Sequence, residues 1–447
     1  MIGKLDSLAA LGGELLTRHA PGVLLVASTA TVTVAYYQLH GPALHLLLIM
    51  SLIWAAWHRR LHPRPLDTTT RLLAMVFLLY ALVAVLSAIS SGLDRAALDR
   101  LETFSYYLAG ALLLPFLVDC RLRPDWFWFA IAAAALLSGG YALWEMQVRA
   151  FDPAFQPPPG LEYRAGGSKA KPIPFGDISA LVATLSLLGI CVAWGNSRPR
   201  VWLFGAAALA GAYATLVSGT RAAWLFYPTA AVVIAIYLLQ RYPGRRRRIL
   251  FALLGAILVG GILVGQSPSV RDRVATAITE LRDYQSGTGV RAGNSLGERF
   301  EMWRAAWMAF EAHPWLGIGV GHLNAYFKQA AAQGAISHAI VEFDRGNGHT
   351  HAHSDYVDTL ATRGIIGLGS LLLLYLVPLA VFARTAVSRH TPGARPFGYA
   401  GLLVILGYMQ FSLTDSILLA RMTAGFFVLL VCWLLAAICA KSPGSRG

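Results

Sequence analysis

Residues 71–91 read RLLAMVFLLYALVAVLSAISS. After the opening arginine no charged residue interrupts the run. At 1.5 Å per residue, about 20 helical residues cross the ~30 Å hydrocarbon layer of a bilayer. Backbone polar groups find no water there, so a segment of this kind satisfies them internally and is read as a helix. Comparable runs recur along the chain, and expected spans lie near 21–39, 42–58, 71–91, 102–118, 126–148, 175–195, 200–218, 222–240, 249–266, 364–384, 397–414 and 420–440. Composition agrees: 56% of the 447 residues are hydrophobic and 13% are charged. Soluble domains carry about 45–50% apolar and roughly 25% charged residues, so one large soluble core is excluded. The expected fold class is an all-α polytopic membrane protein of about 12 transmembrane helices, with a large helical loop between spans 9 and 10. Residues 1–266 then hold spans 1–9, residues 267–362 form the loop domain with amphipathic helices, and residues 363–447 hold spans 10–12. No cleavable signal peptide is expected, because the first apolar run continues as a span. The cysteines are Cys120, Cys191, Cys432 and Cys439, none of them in the loop, so no disulfide is expected there.

The net charge of +14 invites a nucleic-acid reading. Placing the charges on the spans removes it. With a cytoplasmic N-terminus, the cytoplasmic segments are the N-terminal lead, HRRLHPRPLDTTTR (58–71), DCRLRPD (119–125), GNSRPR (195–200), RYPGRRRR (241–248), 384–395 and the C-terminal tail. They hold 20 of the 37 Lys+Arg and 5 of the 23 Asp+Glu, a surplus of 15 positive charges. The positive-inside rule therefore puts both termini in the cytoplasm and the large loop outside it. The basic residues serve topology and contacts with anionic membrane lipids. No concentrated basic face is left for nucleic acid.

Positive charges on the far side stand out by contrast. Arg164, Lys169 and Lys171 lie in the loop 149–174, Arg221 in SGTRAAWL at the outer end of a span, and Arg299 and Arg304 in the large loop. A charge at the membrane border on the disfavoured side has a cost and implies a partner. The alternative is a snorkelling side chain or a local ion pair.

The large loop is expected to be partly helical. In LGERFEMWRAAWMAFEA (296–312) apolar residues recur at Leu296, Phe300, Trp303, Trp307 and Phe310, a helical spacing. Asn294 or Ser295 is placed to cap its start, and His313-Pro314 ends it. GIGVGHLNAYFKQAAAQ follows as a glycine-rich turn and a second amphipathic stretch. Gly317, Gly319 and Gly321 imitate a dinucleotide fingerprint, but no βαβ unit surrounds them and that reading fails. Next comes GNGHTHAHSDYVDTLATRGIIG (346–367). Alternation puts His349, His351 and His353 on one face of an extended segment. Three readings are open: a metal site completed by Asp355 or Asp358, histidines that only hydrogen-bond within a polar loop, and a catalytic base. For the last, Ser354–Arg363 reads as a short helix closed by Gly364, with His353 at its N-terminal edge. The helix dipole there favours the neutral, proton-accepting imidazole.

These residues resemble the O-antigen ligase family, which shares a superfamily with O-antigen polymerases and bacterial O-oligosaccharyltransferases. The likeness rests on His353-Ser354, nine residues, then Gly364-Ile365-Ile366-Gly367. It rests also on Arg221 to Leu225 at a span's outer end, on ERFEMWRAAWMAFEAHPWLGIGVG (298–321), and less strongly on YRAGGSKAKPIPFG (163–176). The resemblance implies a glycosyltransferase-C-like membrane fold with its loop in the periplasm of a bacterial inner membrane. It implies transfer of O-antigen polysaccharide from undecaprenyl diphosphate to lipid A-core oligosaccharide, inverting and metal-independent, with no cofactor. Arg221 and Arg299 would then stabilise the departing diphosphate, since guanidinium forks bind phosphate oxygens in pairs. His353 would take the proton of the acceptor hydroxyl. Arg304, Arg164, Lys169 and His351 would contact diphosphate or glycan. Rivals within the superfamily are a polymerase, whose acceptor is a second lipid-linked glycan, and a protein O-oligosaccharyltransferase. A polytopic transporter or flippase is the rival of another class. It would favour internal repeats and charges at the bilayer midplane, whereas the unusual polar residues here gather at one face.

Overall fold

A computed structural model describes residues 19–58, 66–120, 122–152, 163–169, 171–251, 254–255, 258, 266, 268–285, 295–343 and 346–441. The described chain is helical, with no strand among these residues. In order run α1 (Ala20–Thr31), α2 (Gly41–Ile53), α3 (Thr68–Ser91), α4 (Arg95–Asp119), α5 (Asp125–Gln147), α6 (Pro172–Ala193), α7 (Arg198–Ser218) and α8 (Arg221–Arg241). They are followed by α9 (Pro268–Gln285), α10 (Ser295–Ala312), α11 (Leu323–Ala332), α12 (Asp355–Val387), α13 (Arg395–Phe411) and α14 (Arg421–Ala440). Among the described residues, nine helical segments are long and apolar enough to cross a membrane. The chain is a multi-pass membrane protein.

Burial separates lipid-facing from protein-facing surfaces. On α3 the side chains of Leu72, Met75, Leu79, Leu82 and Leu86 are exposed, while Leu73, Phe77, Tyr80 and Ala84 are buried. Large apolar groups left open on a helix of this length face lipid. α14 shows no such division: it is buried along nearly its whole length and forms the axis of the bundle. Phe127 meets Trp433 edge-on at 5.5 Å and Tyr408 lies 4.8 Å from Phe427. Lipid tails are as apolar as leucine, so helix association here rests on close packing rather than on escape from water. α5 and α7 touch in this way, Gly139 lying against the backbone of Ala210.

Most expected spans coincide with a helix, and the departures have identifiable causes. The first, 21–39, is broken: α1 ends at Thr31, and Val34 and Ala35 both donate to the Thr31 carbonyl in a turn. The β-branched, hydroxyl-rich TATVTV (29–34) explains this, since threonines crowd a helix and offer side-chain bonds that compete with it. The freed Thr33 carbonyl accepts from Ser168 N at 3.0 Å. The expected span 397–414 is α13, which has 17 residues. The ninth, 249–266, and the cap position Asn294 fall largely or wholly outside the described residues. α10 buries a different face from the one its aromatic periodicity suggests. Met302, Ala305, Ala306 and Ala309 pack inward, while Trp307 is 53% exposed. The small side chains let α10 lie closely against α12, with Trp303 at the edge of that contact and Trp307 turned away.

Candidate active site

α12 is two helices joined at Gly364, where φ is +62° and ψ −162°. That conformation is essentially reserved for glycine. In a continuous helix, the amides of residues 365 and 366 would donate to the carbonyls of 361 and 362. Here both bonds are exchanged. Ile365 N donates to Pro314 O at 2.9 Å and Ile366 N to Trp315 O at 3.4 Å. In return, Ala361 O accepts from Ile318 N at 3.0 Å and Thr362 O from Gly319 N at 3.1 Å. The HPWLGIGVG run is therefore a main-chain splint on the break. It requires bare backbone: a Cβ on Gly317 would lie 2.3 Å from the carbonyl carbon of Thr362. Gly364→Ala would place a methyl 2.3 Å from Trp315 O in a forbidden conformation. We expect it to cost at least about 2 kcal/mol and to lower the thermal midpoint in detergent by several degrees. Gly369→Ala, whose Cβ meets nothing within 4 Å, serves as the control that should not. Equal midpoints for the two variants would show that the break is not under this constraint.

The first turn of α12 is stitched to the turn between α13 and α14 by Asp355. Its carboxylate accepts from Ser412 Oγ at 2.6 Å and from Leu418 N at 3.1 Å. Ser412 O in turn accepts from Asp355 N at 3.0 Å and Ser354 Oγ at 3.1 Å. The stitch brings His353 beside Asp415, with Nδ1 3.2 Å from Oδ1. His353 has φ +49°, the one positive φ of a non-glycine residue among the described residues. Such strain persists only where the surroundings over-determine it. Trp303 Nε1 donates to Ala352 O at 2.8 Å, Ala352 N to Asp358 at 3.2 Å, and Arg100 to Thr350 O at 3.0 Å. Burial works to raise the Asp415 pKa. The His353 hydrogen bond, the two imidazoles and the Ser416 amide outweigh it and hold the carboxyl below its usual value.

The three histidines do share a face. His351 lies 4.3 Å and His349 5.4 Å, ring to ring, from His353. Their partners differ. His349 stacks on Phe343 at 4.2 Å and sits 3.4 Å from Glu298. Asp355 and Asp358, the expected further metal ligands, are turned to Ser412, Leu418 and Ala352 instead. Ligand atoms of His351, His353 and Asp415 do fall within 4.8 Å of one another, a set a divalent ion can use. The hydrogen bonds describe a different arrangement. His351 Nδ1 accepts from His353 N at 3.3 Å, which leaves the ring proton on Nε2. Desolvation, with His353 next, pulls the His351 pKa down to about 3, so that ring is neutral. His353 turns Nδ1 toward Asp415, so Nε2 is the ring nitrogen left without that carboxylate.

One expected arginine, Arg299, lies within electrostatic reach of Asp415, and Arg221 lies within reach of Arg299. Burial lowers the Arg299 pKa, Asp415 and Glu280 oppose that, and Arg221 adds to it, which puts Arg221 and Asp415 within electrostatic reach of Arg299. Neither arginine has a carboxylate within ion-pair distance among the described residues. Arg221 is the first residue of α8, where the helix dipole also favours an anion. The other expected cations lie elsewhere. Arg304 is 61% exposed beside Glu301. Lys169 is near Lys171 and Arg421, and burial followed by these charges pulls its pKa down to about 8. Arg164 donates from Nε to Ser218 O at 2.7 Å. Asp415 was not anticipated. A border-charge argument applied to acids as well as bases would have found it, since it sits between two expected spans.

Fold and site define a helical membrane protein whose polar chemistry is collected at one end of its bundle. Residues 206–372, from α7 into α12, match the family model described as O-antigen ligase. Arg221, Arg299, Arg304, His351 and His353 all fall inside the matched residues. The O-antigen ligase of Escherichia coli (strain K12) is 24% identical over 262 residues, covering 56% of this chain and 56% of that protein. The chain therefore spans about half the length of that relative. An uncharacterized protein of Haemophilus influenzae is 22% identical over 345 residues, 76% of this chain and 80% of its own length.

Proposed function

We propose that this protein transfers a glycan from undecaprenyl diphosphate to lipid A-core oligosaccharide at the periplasmic face of the bacterial inner membrane, with both termini cytoplasmic. What supports this reading is one arrangement: Arg299 and Arg221, with no carboxylate at ion-pair distance among the described residues, and Asp415, which lies within electrostatic reach of Arg299 and holds His353 Nδ1. The acceptor hydroxyl oxygen attacks the anomeric carbon and its proton passes to His353 Nε2. The bond from that carbon to the diphosphate oxygen breaks, and the electron pair leaves with the diphosphate. Attack from the side opposite the leaving group inverts the anomeric centre. Arg221 and Arg299 receive the charge that develops on the leaving group. Asp415 keeps His353 oriented and offsets the imidazolium charge during the transfer. His351 shapes the pocket as a neutral hydrogen-bonding group, and Lys169 and Arg304 serve more peripheral parts of the glycan or membrane surface. The segment 267–362 roofs the site, and grooves between spans hold the polyprenyl chain in a glycosyltransferase-C-like bundle of about 12 spans.

The test is reconstitution with undecaprenyl-diphosphate-linked glycan and three acceptors offered separately: lipid A-core, a second lipid-linked glycan, and a serine-containing peptide. Product is expected on lipid A-core alone, and a chelator should leave its rate unchanged. Product only on the second glycan or on peptide would overturn the acceptor assignment. Activity lost to chelator and restored by zinc would move His351, His353 and Asp415 to a metal site.

A further inference from the structure

Glu145 stands near the end of α5, 1% exposed, inside a helix long enough to span the membrane. A carboxylate in such a place is costly unless paired or fully hydrogen-bonded. It is surrounded by donors. Oε2 accepts from Gly166 N at 3.1 Å and Gly167 N at 2.9 Å. Oε1 accepts from Tyr163 OH at 3.2 Å and from Arg149 Nη1 at 3.3 Å. Three of these four donors belong to one short segment, 163–167. That segment grips a second turn. Ala165 N donates to Val217 O at 3.1 Å, and Arg164 donates to Ser218 O at 2.7 Å and Thr220 Oγ1 at 3.5 Å. Thr220 Oγ1 also donates to Pro172 O at 2.9 Å. Thr220 is the residue before α8, and α8 begins with Arg221. A continuous set of contacts therefore runs from Glu145 through Arg164 to the base of Arg221.

We propose that Glu145 is a positioning residue for the donor diphosphate: its carboxylate fixes the 163–167 segment, which fixes the turn that presents Arg221. The inference rests on the reading of Arg221 as a diphosphate ligand. It also gives Arg164 a role, that of holding the Ser218–Thr220 turn, different from direct contact with substrate. Glu145→Gln keeps the size of the side chain but sets an NH2 group against donors on one of its two faces. The variant should accumulate and unfold at the normal temperature. Its kcat/KM for donor should fall about tenfold, through a higher KM for donor and a lower kcat together, with KM for acceptor unchanged.

The deciding measurement is the affinity of the purified full chain for undecaprenyl diphosphate in Glu145→Gln, Arg221→Ala and the double variant. Each single change should weaken binding, and the double variant should bind no more weakly than Arg221→Ala. If Glu145→Gln adds its full factor on top of Arg221→Ala, Glu145 does not act through Arg221 and the inference is overturned, while the role of Arg221 stands. If Arg221→Ala binds normally, the underlying reading of the site is what has failed. Should Glu145→Gln fail to accumulate, Tyr163→Phe removes a single donor. Its expected loss of about threefold must likewise vanish in the Arg221→Ala background, and persistence there overturns the inference.

Discussion

His353→Ala should remove glycan transfer, by a factor on the order of 10²–10⁴, from a protein that still inserts and accumulates normally. The loss follows from a proton that must leave the acceptor hydroxyl as it attacks, and from one lone pair placed to receive it. His353 Nδ1 is committed to Asp415 at 3.2 Å, and the neighbouring His351 presents a protonated nitrogen. Little folding energy is at stake in the ring itself, because the surrounding backbone is held by Trp303, Asp358 and Ser412. The companion variant Asp415→Asn keeps the shape of its side chain but offers an amide where an anion stood. It should retain the fold and lose roughly tenfold or more in kcat, since an uncharged partner fixes the tautomer less well and compensates no imidazolium. The measurement is turnover with saturating donor and acceptor, alongside the amount of folded protein recovered. Near-normal ligation by His353→Ala would remove the base assignment, and full activity of Asp415→Asn would remove the orienting one.

The second large effect falls on donor binding. Truncating one partner of a desolvated charged contact costs about 2–5 kcal/mol, which corresponds to roughly 30- to 4,000-fold in affinity. Arg299→Ala should fall in that range, because Arg299 is partly buried on a helix packed against α12. Arg221→Ala, at an exposed helix start, should lie at the lower end. Lysine at either position restores charge without the planar fork, so recovery should be partial. Raising salt should weaken donor binding more in the native protein than in either alanine variant, since each lost cation reduces the screened attraction. Binding of undecaprenyl diphosphate to the purified protein reports this directly. Unchanged affinity in either alanine variant takes that arginine out of the site.

The sequence carried much of the architecture because the membrane imposes a simple length and composition rule. α3, α5, α6, α7, α8 and α14 coincide with expected apolar runs, while the broken first span was hidden because threonines count as neither charged nor strongly polar. His353 was legible for a local reason: alternation, an adjacent short helix and a closing glycine all lie within fifteen residues of it. Asp415 was not, since a lone aspartate between two spans has no periodicity to announce it, and its pairing depends on Asp355 joining segments about 60 residues apart in sequence. Glu145 was missed because one acid near the end of an apolar helix reads as a span boundary. The spacing of large apolar residues marks α10 as a helix but does not say which of its faces packs against α12. Periodicity reports where large apolar groups lie, but close contact between two helices selects small ones, here Ala305, Ala306 and Ala309.

The splint at Gly364 bears on how such a protein can change. Its four hydrogen bonds are drawn wholly from main-chain atoms, Ser87 Oγ adds one to the Thr362 carbonyl, and it needs bare backbone at Gly317 and Gly364. The break in α12 therefore does not depend on which residues occupy the exposed face of α10. Exposed side chains there, such as Trp307, can change without touching those four bonds. A lineage can let that face drift while the two halves of α12 keep their angle.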